Sequence, residues 1–138
     1  MTETEITLEL VAEQFAVCRL PEGAAVPPAD SSYLFWARTP EETSLVCPED
    51  DLPPDAEKSR TGMRCLRVAG VLDLSLIGIL ARLTAVLAEA QVPVFALSTW
   101  DTDYLLIPDR QLGAARAALA AVGIPVRDAQ HADKSEGS

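Results

Sequence analysis

The sequence predicts an α+β chain, an antiparallel sheet with helices on one face, and three observations carry that prediction. Ile6, Leu8 and Leu10 alternate with Glu5, Thr7 and Glu9, the mark of a half-buried strand. Two helical stretches in the second half are separated by two short apolar runs, Val92–Trp100 and Tyr104–Ile107, with turn residues between them. Gly123 then stands where a helix C-terminal glycine is expected, and Ile124–Val126 follows as a short strand. The second half therefore reads βαββαβ, the ferredoxin-like order.

Taken in order, the first strand over residues 6–10 is followed by a second extended stretch, Phe15–Leu20. Pro21, Gly23, Pro27 and Pro28 punctuate a loop. Tyr33–Arg38 and Ser44–Cys47 read as strands joined by Thr39-Pro-Glu-Glu. Pro48–Gly62 is polar, proline-rich and charged and is expected to be the boundary between two halves, with the linker Asp50–Arg60 exposed and mobile. Arg64–Ala69 is a strand, and Asp73 or Ser75 can cap a helix that runs from Ser75 to about Ala90. In that helix Ser75, Arg82 and Glu89 form one narrow polar stripe, so burial is expected on most other sides. Asp101-Thr-Asp supplies the tight turn of the hairpin. Asp109 can cap the second helix, whose Leu112, Ala115, Leu119 and Val122 share a face. From Arg127 onward the composition is that of a frayed tail.

Composition narrows the function. Of 138 residues 49% are apolar and 23% charged, which suits a globular chain. The net charge is -10, and the 11 Lys and Arg residues are scattered, so neither nucleic acid nor an anionic membrane surface is an expected partner. Met1–Glu5 is acidic where a secretory signal would be basic, and the apolar stretch Leu72–Ala90 contains Asp73, Arg82 and Glu89. Cys18, Cys47 and Cys65 form no metal-type pair and read as reduced, buried thiols. These features together predict a cytoplasmic protein.

The search for chemistry finds no catalytic constellation, no metal site and no cofactor motif. His131 lies in the tail, and Glu49-Asp50-Asp51 lacks calcium-loop spacing. Without a nucleophile–base pair the chain is not expected to be an enzyme. Two places stand out. One is Leu72-Asp-Leu-Ser-Leu-Ile-Gly-Ile-Leu-Ala, a strand-to-helix junction whose unpaired N–H groups suit a carboxylate. Gly78 there costs about 1 kcal/mol of helix propensity against alanine. Close approach of a ligand or tight helix–sheet packing would each account for it. The other is Ser98-Thr-Trp-Asp-Thr-Asp-Tyr, which gathers hydroxyls, carboxylates and aromatics at a hairpin tip, either for a ligand or for turn chemistry.

At these residues the sequence resembles a known family. Gly78-Ile-Leu-Ala-Arg-Leu, continuing through Leu87-Ala-Glu-Ala to Val92, is similar to the signature of ACT domains, small-molecule-binding modules of amino-acid metabolism. Phe95-Ala-Leu-Ser-Thr-Trp-Asp-Thr-Asp-Tyr-Leu-Leu-Ile resembles the subfamily that includes the CASTOR arginine sensors and short bacterial ACT proteins. Thr39-Pro-Glu-Glu-Thr-Ser-Leu-Val-Cys-Pro-Glu fits the first module of the same subfamily. The resemblance implies tandem ACT-like modules: a trimmed N-terminal module with its linker over residues 1–62, a C-terminal module over 63–127, and a disordered tail over 128–138. It implies a ligand region of Leu76, Ile77, Gly78 and Ile79 at the helix start and Thr99, Trp100 and Asp103 on the hairpin. The implied ligand is a free amino acid or similar metabolite, and Leu76, where the arginine sensors carry a glutamate, speaks against arginine. A homodimer and a downstream protein partner of unknown identity are expected. The rival expectation is a ligand-free dimerisation or scaffolding module whose pocket is filled by side chains, Trp100 being bulky enough to do so.

Overall fold

The computed structural model describes residues 6–25, 31–69 and 78–129. The described elements run β1 (Leu8–Leu20), β2 (Phe35–Arg38), β3 (Thr43–Pro48), β4 (Lys58–Val68), α1 (Ile79–Glu89), β5 (Phe95–Ser98), β6 (Asp103–Pro108), α2 (Leu112–Ala121) and β7 (Val126–Asp128). The fold is α+β and ferredoxin-like. Two compact units divide it, one of residues 1–12 with 64–138, the other of residues 13–63.

In the first unit the strands run β7-β1-β4-β6-β5, with β7 parallel to the start of β1 through Leu8↔Val126 and Leu10↔Asp128. A plain ferredoxin-like module would set its fourth strand beside its first. Here the N-terminal strand stands between β7 and β4. The helices lie on one face, because Ile79, Leu83 and Leu87 of α1 and Ala115 and Leu119 of α2 pack with Leu8, Leu66, Leu105 and Ile107 of the sheet. Burying such side chains contributes roughly 1.5–3 kcal/mol each, so this layer is the unit's main source of stability. Across the sheet, Glu9 accepts an ion pair from Arg67 of β4 at 3.1 Å and another from Arg127 of β7 at 3.6 Å.

The second unit has β3 antiparallel to β1 (Phe15↔Pro48, Leu20↔Thr43) and β2 antiparallel to β3 (Phe35↔Val46, Arg38↔Thr43). Cys18, Leu20, Leu45 and Cys47 form its small core, with Trp36, Leu52 and Ala56 against them. Phe15 and Tyr33 meet edge to face at 5.5 Å. Among its described residues there is no α-helix.

Several expectations are corrected. The two strands expected over residues 6–20 are one, because the backbone continues through Glu13 and Gln14. The linker Asp50–Arg60 is exposed over most of its length, as expected, but it carries regular structure. Glu49–Asp51 forms a 3-10 turn, Glu49 accepts from the Gly62 N–H, Leu52 and Ala56 pack on the core, and β4 begins at Lys58. Helix α1 is described from Ile79, and only Ile79, Leu83 and Leu87 are buried in it, so it buries one face rather than most. The Asp73 and Ser75 caps lie outside the described residues. Asp109 does not cap α2. It sits in a 3-10 turn before the helix and pairs with Arg64 at 3.3 Å. Val122 is 43% exposed and leaves the expected apolar face. The last strand starts at Val126 and takes in Arg127 and Asp128.

Candidate functional site

The hairpin of β5 and β6 is the best-defined part of the predicted site. Its loop is Thr99–Thr102, not Asp101–Asp103, since Ser98 faces Asp103 in the ladder. The Thr99 N–H donates to the Thr102 carbonyl at 2.9 Å and the Thr99 hydroxyl to the same oxygen at 3.2 Å. The Thr102 N–H donates back to the Thr99 hydroxyl oxygen at 3.4 Å. The Ser98 hydroxyl donates to Asp103 Oδ1 at 2.6 Å, which leaves the second carboxylate oxygen for another donor. Trp100 is 87% exposed, so it fills no space within the fold.

Thr102 was not singled out by sequence reasoning. It is 3% exposed, and its hydroxyl donates to the Val68 carbonyl at 2.8 Å. That bond fixes the hairpin tip to the end of β4, from which the chain goes on toward α1. The one available signal was a threonine in a hairpin loop, a position that turn chemistry alone already explains.

At the start of α1, Gly78 has φ +83° and ψ 7°, the left-handed region that favours glycine. It is therefore the residue before the helix rather than part of its first turn. The Arg82 N–H makes the first helical bond among the described residues, to the Gly78 carbonyl at 2.8 Å, and no described side chain caps the N–H groups ahead of it. Nothing lies within 4 Å of where a Gly78 Cβ would stand, so its conformation and not crowding selects glycine. Ile79 is 8% exposed with its side chain packed in the core. Leu76 and Ile77 lie outside the described residues. Ser98, Thr99, Thr102 and Asp103 are thus brought together on the hairpin, and among the described residues no hydrogen bond joins them to Gly78 or Ile79.

The second unit has a cleft of about 420 Å³ between the end of β1 and the β2–β3 turn. Arg19, Arg38, Glu22, Glu41 and Glu57 line it, and none of the predicted site residues does. Arg19 is engaged by the Glu41 carbonyl at 3.2 Å and the Glu57 carboxylate at 4.0 Å, and Arg38 lies 5.3 Å over the Trp36 ring.

The three cysteines are free and buried. Burial pushes Cys47 up from 9.0 to about 11, with Cys18 and Asp51 adding to it. Burial and then Asp55 raise Cys18 as well. Both are thiols rather than thiolates near neutral pH. Among the described residues no group of three His, Cys, Asp or Glu could hold a metal ion, and no helix is long and apolar enough to cross a membrane.

Comparison with known proteins completes the picture. No curated protein matches the chain. Protein Atu0741 from Agrobacterium tumefaciens is similar in structure, with TM-score 0.83 and 25% identity over 94% of this chain and 97% of that one. Aspartate kinase from Synechocystis matches with TM-score 0.64 and 16% identity, over 92% of this chain but 28% of the kinase. The regulatory subunit of aspartate kinase from Thermus thermophilus, in its ligand-free form, matches with TM-score 0.55 and 14% identity over 87% of this chain and 98% of that one. The ACT domain family model matches residues 58–121, from the start of β4 to the end of α2, and so takes in Gly78 and the whole β5–β6 hairpin. An ACT domain therefore accounts for residues 58–121 of the chain.

Proposed function

We propose that the chain is a non-catalytic regulatory protein that senses a free amino acid or a similar small metabolite. The ligand is held by the segment Leu76, Ile77, Gly78 and Ile79 and by the hairpin residues Thr99, Trp100 and Asp103. The observation that carries this reading is the uncapped helix start behind a left-handed Gly78. Its N–H groups and partial positive charge suit an α-carboxylate. The free oxygen of Asp103 and the exposed hairpin then suit an ammonium group. The ACT domain and the likeness to a regulatory subunit of aspartate kinase support a regulatory role. The protein works in the cytoplasm as a homodimer of tandem ACT-like modules, and passes its state to a downstream protein. Arginine is not the preferred ligand, because Leu76 offers a guanidinium nothing.

A second reading, a ligand-free dimerisation module, is favoured by the exposure of Trp100 and Phe95. It has lost the argument that Trp100 plugs the pocket. Calorimetry with each amino acid, on protein freed of bound metabolite, separates the two readings. The sensor gives heat with at least one of them, and Asp103→Ala weakens that binding about 10- to 100-fold, the scale of one charge-assisted hydrogen bond. No heat with any amino acid leaves the dimerisation module.

A further inference from the structure

We infer that the cleft of the second unit is a separate ligand site, one that takes a small zwitterion, with the acid group on Arg38 and the amine on Glu22 and Glu41. It shares no residue with the site proposed above and does not depend on it.

The cleft is lined from Arg19 to Glu57, wholly within one unit, and its volume of about 420 Å³ suits a small molecule. One wall is fixed. The Arg19 guanidinium donates to the Glu41 carbonyl at 3.2 Å and stands 4.0 Å from the Glu57 carboxylate. The Thr39 hydroxyl oxygen accepts from the N–H groups of Glu41 and Glu42 at 3.1 and 3.2 Å, which holds the β2–β3 turn in one shape. Arg38 differs from Arg19. Its guanidinium lies 5.3 Å over the Trp36 ring, and among the described residues no hydrogen bond or ion pair engages it. Stacking steadies the guanidinium plane and leaves its edge N–H groups for a carboxylate.

Charge decides the ligand class. Arg19 and Arg38 share the cleft with Glu22, Glu41, Glu42 and Glu57. Glu42 accepts from the Ser44 hydroxyl at 2.6 Å and Glu57 stands beside Arg19, so Glu22 and Glu41 are the carboxylates left over. That surplus repels a multiply charged anion such as phosphate. Among the described residues no group of three His, Cys, Asp or Glu could hold a metal ion, so the surplus does not answer to a metal. A ligand with one acid and one amine satisfies Arg38 and the spare carboxylates together.

The β5–β6 hairpin sharpens the contrast. The Thr39 N–H bonds to the Glu42 carbonyl as the Thr99 N–H bonds to that of Thr102, both at 2.9 Å. Arg38↔Thr43 closes one ladder where Ser98↔Asp103 closes the other. The two turns share a form, but the closing pair carries a guanidinium in one and a carboxylate in the other.

Fluorescence titration of the full-length Trp100→Phe chain tests the proposal, because Trp36 is then its only tryptophan and Arg38 lies on its ring. The probes are the common amino acids, β-alanine and taurine, with acetate, methylammonium and inorganic phosphate as controls of a single sign. At least one zwitterion is expected to shift the Trp36 emission saturably. Calorimetry with that zwitterion is expected to show binding about tenfold or more weaker in Arg38→Gln and in Glu22→Gln, and unchanged in Asp103→Ala. Circular dichroism shows that each variant is folded. No saturable shift with any zwitterion, or binding that persists undiminished in both folded cleft variants, overturns the site. An equal shift with acetate, methylammonium or phosphate overturns the zwitterion class. Binding lost in Asp103→Ala but kept in Arg38→Gln belongs to the α1 and β5–β6 site, and overturns the cleft while leaving the sensor reading intact.

Discussion

Removing one hydroxyl, by Thr102→Val, isolates what holds the hairpin to the sheet. The side chain keeps its shape and its 3% exposure, and what disappears is the 2.8 Å bond to the Val68 carbonyl. Val68 is itself 2% exposed, so water cannot readily replace the lost donor. Leaving a buried carbonyl without that partner costs about 1–3 kcal/mol. Thr102→Ser is the matched control: it keeps the hydroxyl and loses one methyl group, at about 0.8 kcal/mol. Urea denaturation reads both, and the midpoint of the valine variant should fall further at an unchanged slope. In a thermal melt each kcal/mol corresponds to about 2–8 °C. If valine proves as stable as threonine and serine is the weaker variant, the methyl group is what Thr102 contributes. The hydrogen bond then does not anchor the tip.

Gln91 has φ 64° at the end of α1, where its carbonyl accepts from Gln111 Nε2 at 2.9 Å. Gln91→Gly relieves a left-handed conformation and should raise stability by up to about 1 kcal/mol, read by chemical denaturation. Cys47 has a raised pKa, so its contribution is whole below 9.0 and is lost as pH rises through about 11. Stability should fall by roughly 2–3 kcal/mol over that window, and Cys47→Ala should flatten the fall seen in a pH series of melts. Glu9→Ala removes both ion pairs to Arg67 and Arg127 and should cost about 0.5–1 kcal/mol, less in high salt, because the groups are partly exposed.

The C-terminal ββ hairpin and the two helices were legible in the sequence because their signals are local. Val92–Trp100 and Tyr104–Ile107 are apolar runs of strand length, and Gly123 ends α2 with φ +84° while Ile124 bonds back to Leu119 at 2.9 Å. β1 was misread for a non-local reason. Leu10 and Val11 are both buried, as are Phe15 and Ala16, so both faces of the strand are covered and alternation disappears. Glu13 and Gln14 then look like a break. The start of β4 was hidden in the same way, since Lys58, Ser59 and Arg60 are exposed and are held in the strand by backbone pairing, not by their side chains. Helix α1 was overburied because alanine counts as apolar in a pattern. Ala81, Ala85 and Ala88 are exposed, and alanine's helix propensity suits that position without any packing.

The site divides along the same line. Gly78 was visible because a glycine at a helix start has few physical explanations, and its φ of +83° selects one of them. Asp103 and Thr99 were visible as polar residues at a hairpin, but their roles could not be separated by composition. Thr99 is spent on the turn, bonding three ways to Thr102, whereas Asp103 uses one oxygen on Ser98 and keeps the other. Thr99→Ala should therefore act mainly on stability, and Asp103→Ala mainly on binding. Thr102 was invisible because its partner, Val68, lies 34 residues away and only the folded sheet brings them together. A hydroxyl buried that far from its acceptor in sequence leaves no local pattern. It is nonetheless the group that ties the hairpin carrying Asp103 to the strand leading into α1. If Asp103 holds a ligand's ammonium group, Thr102→Val should weaken that binding without touching the ligand. An affinity unchanged in Thr102→Val would mean that the hairpin does not need this anchor to present Asp103.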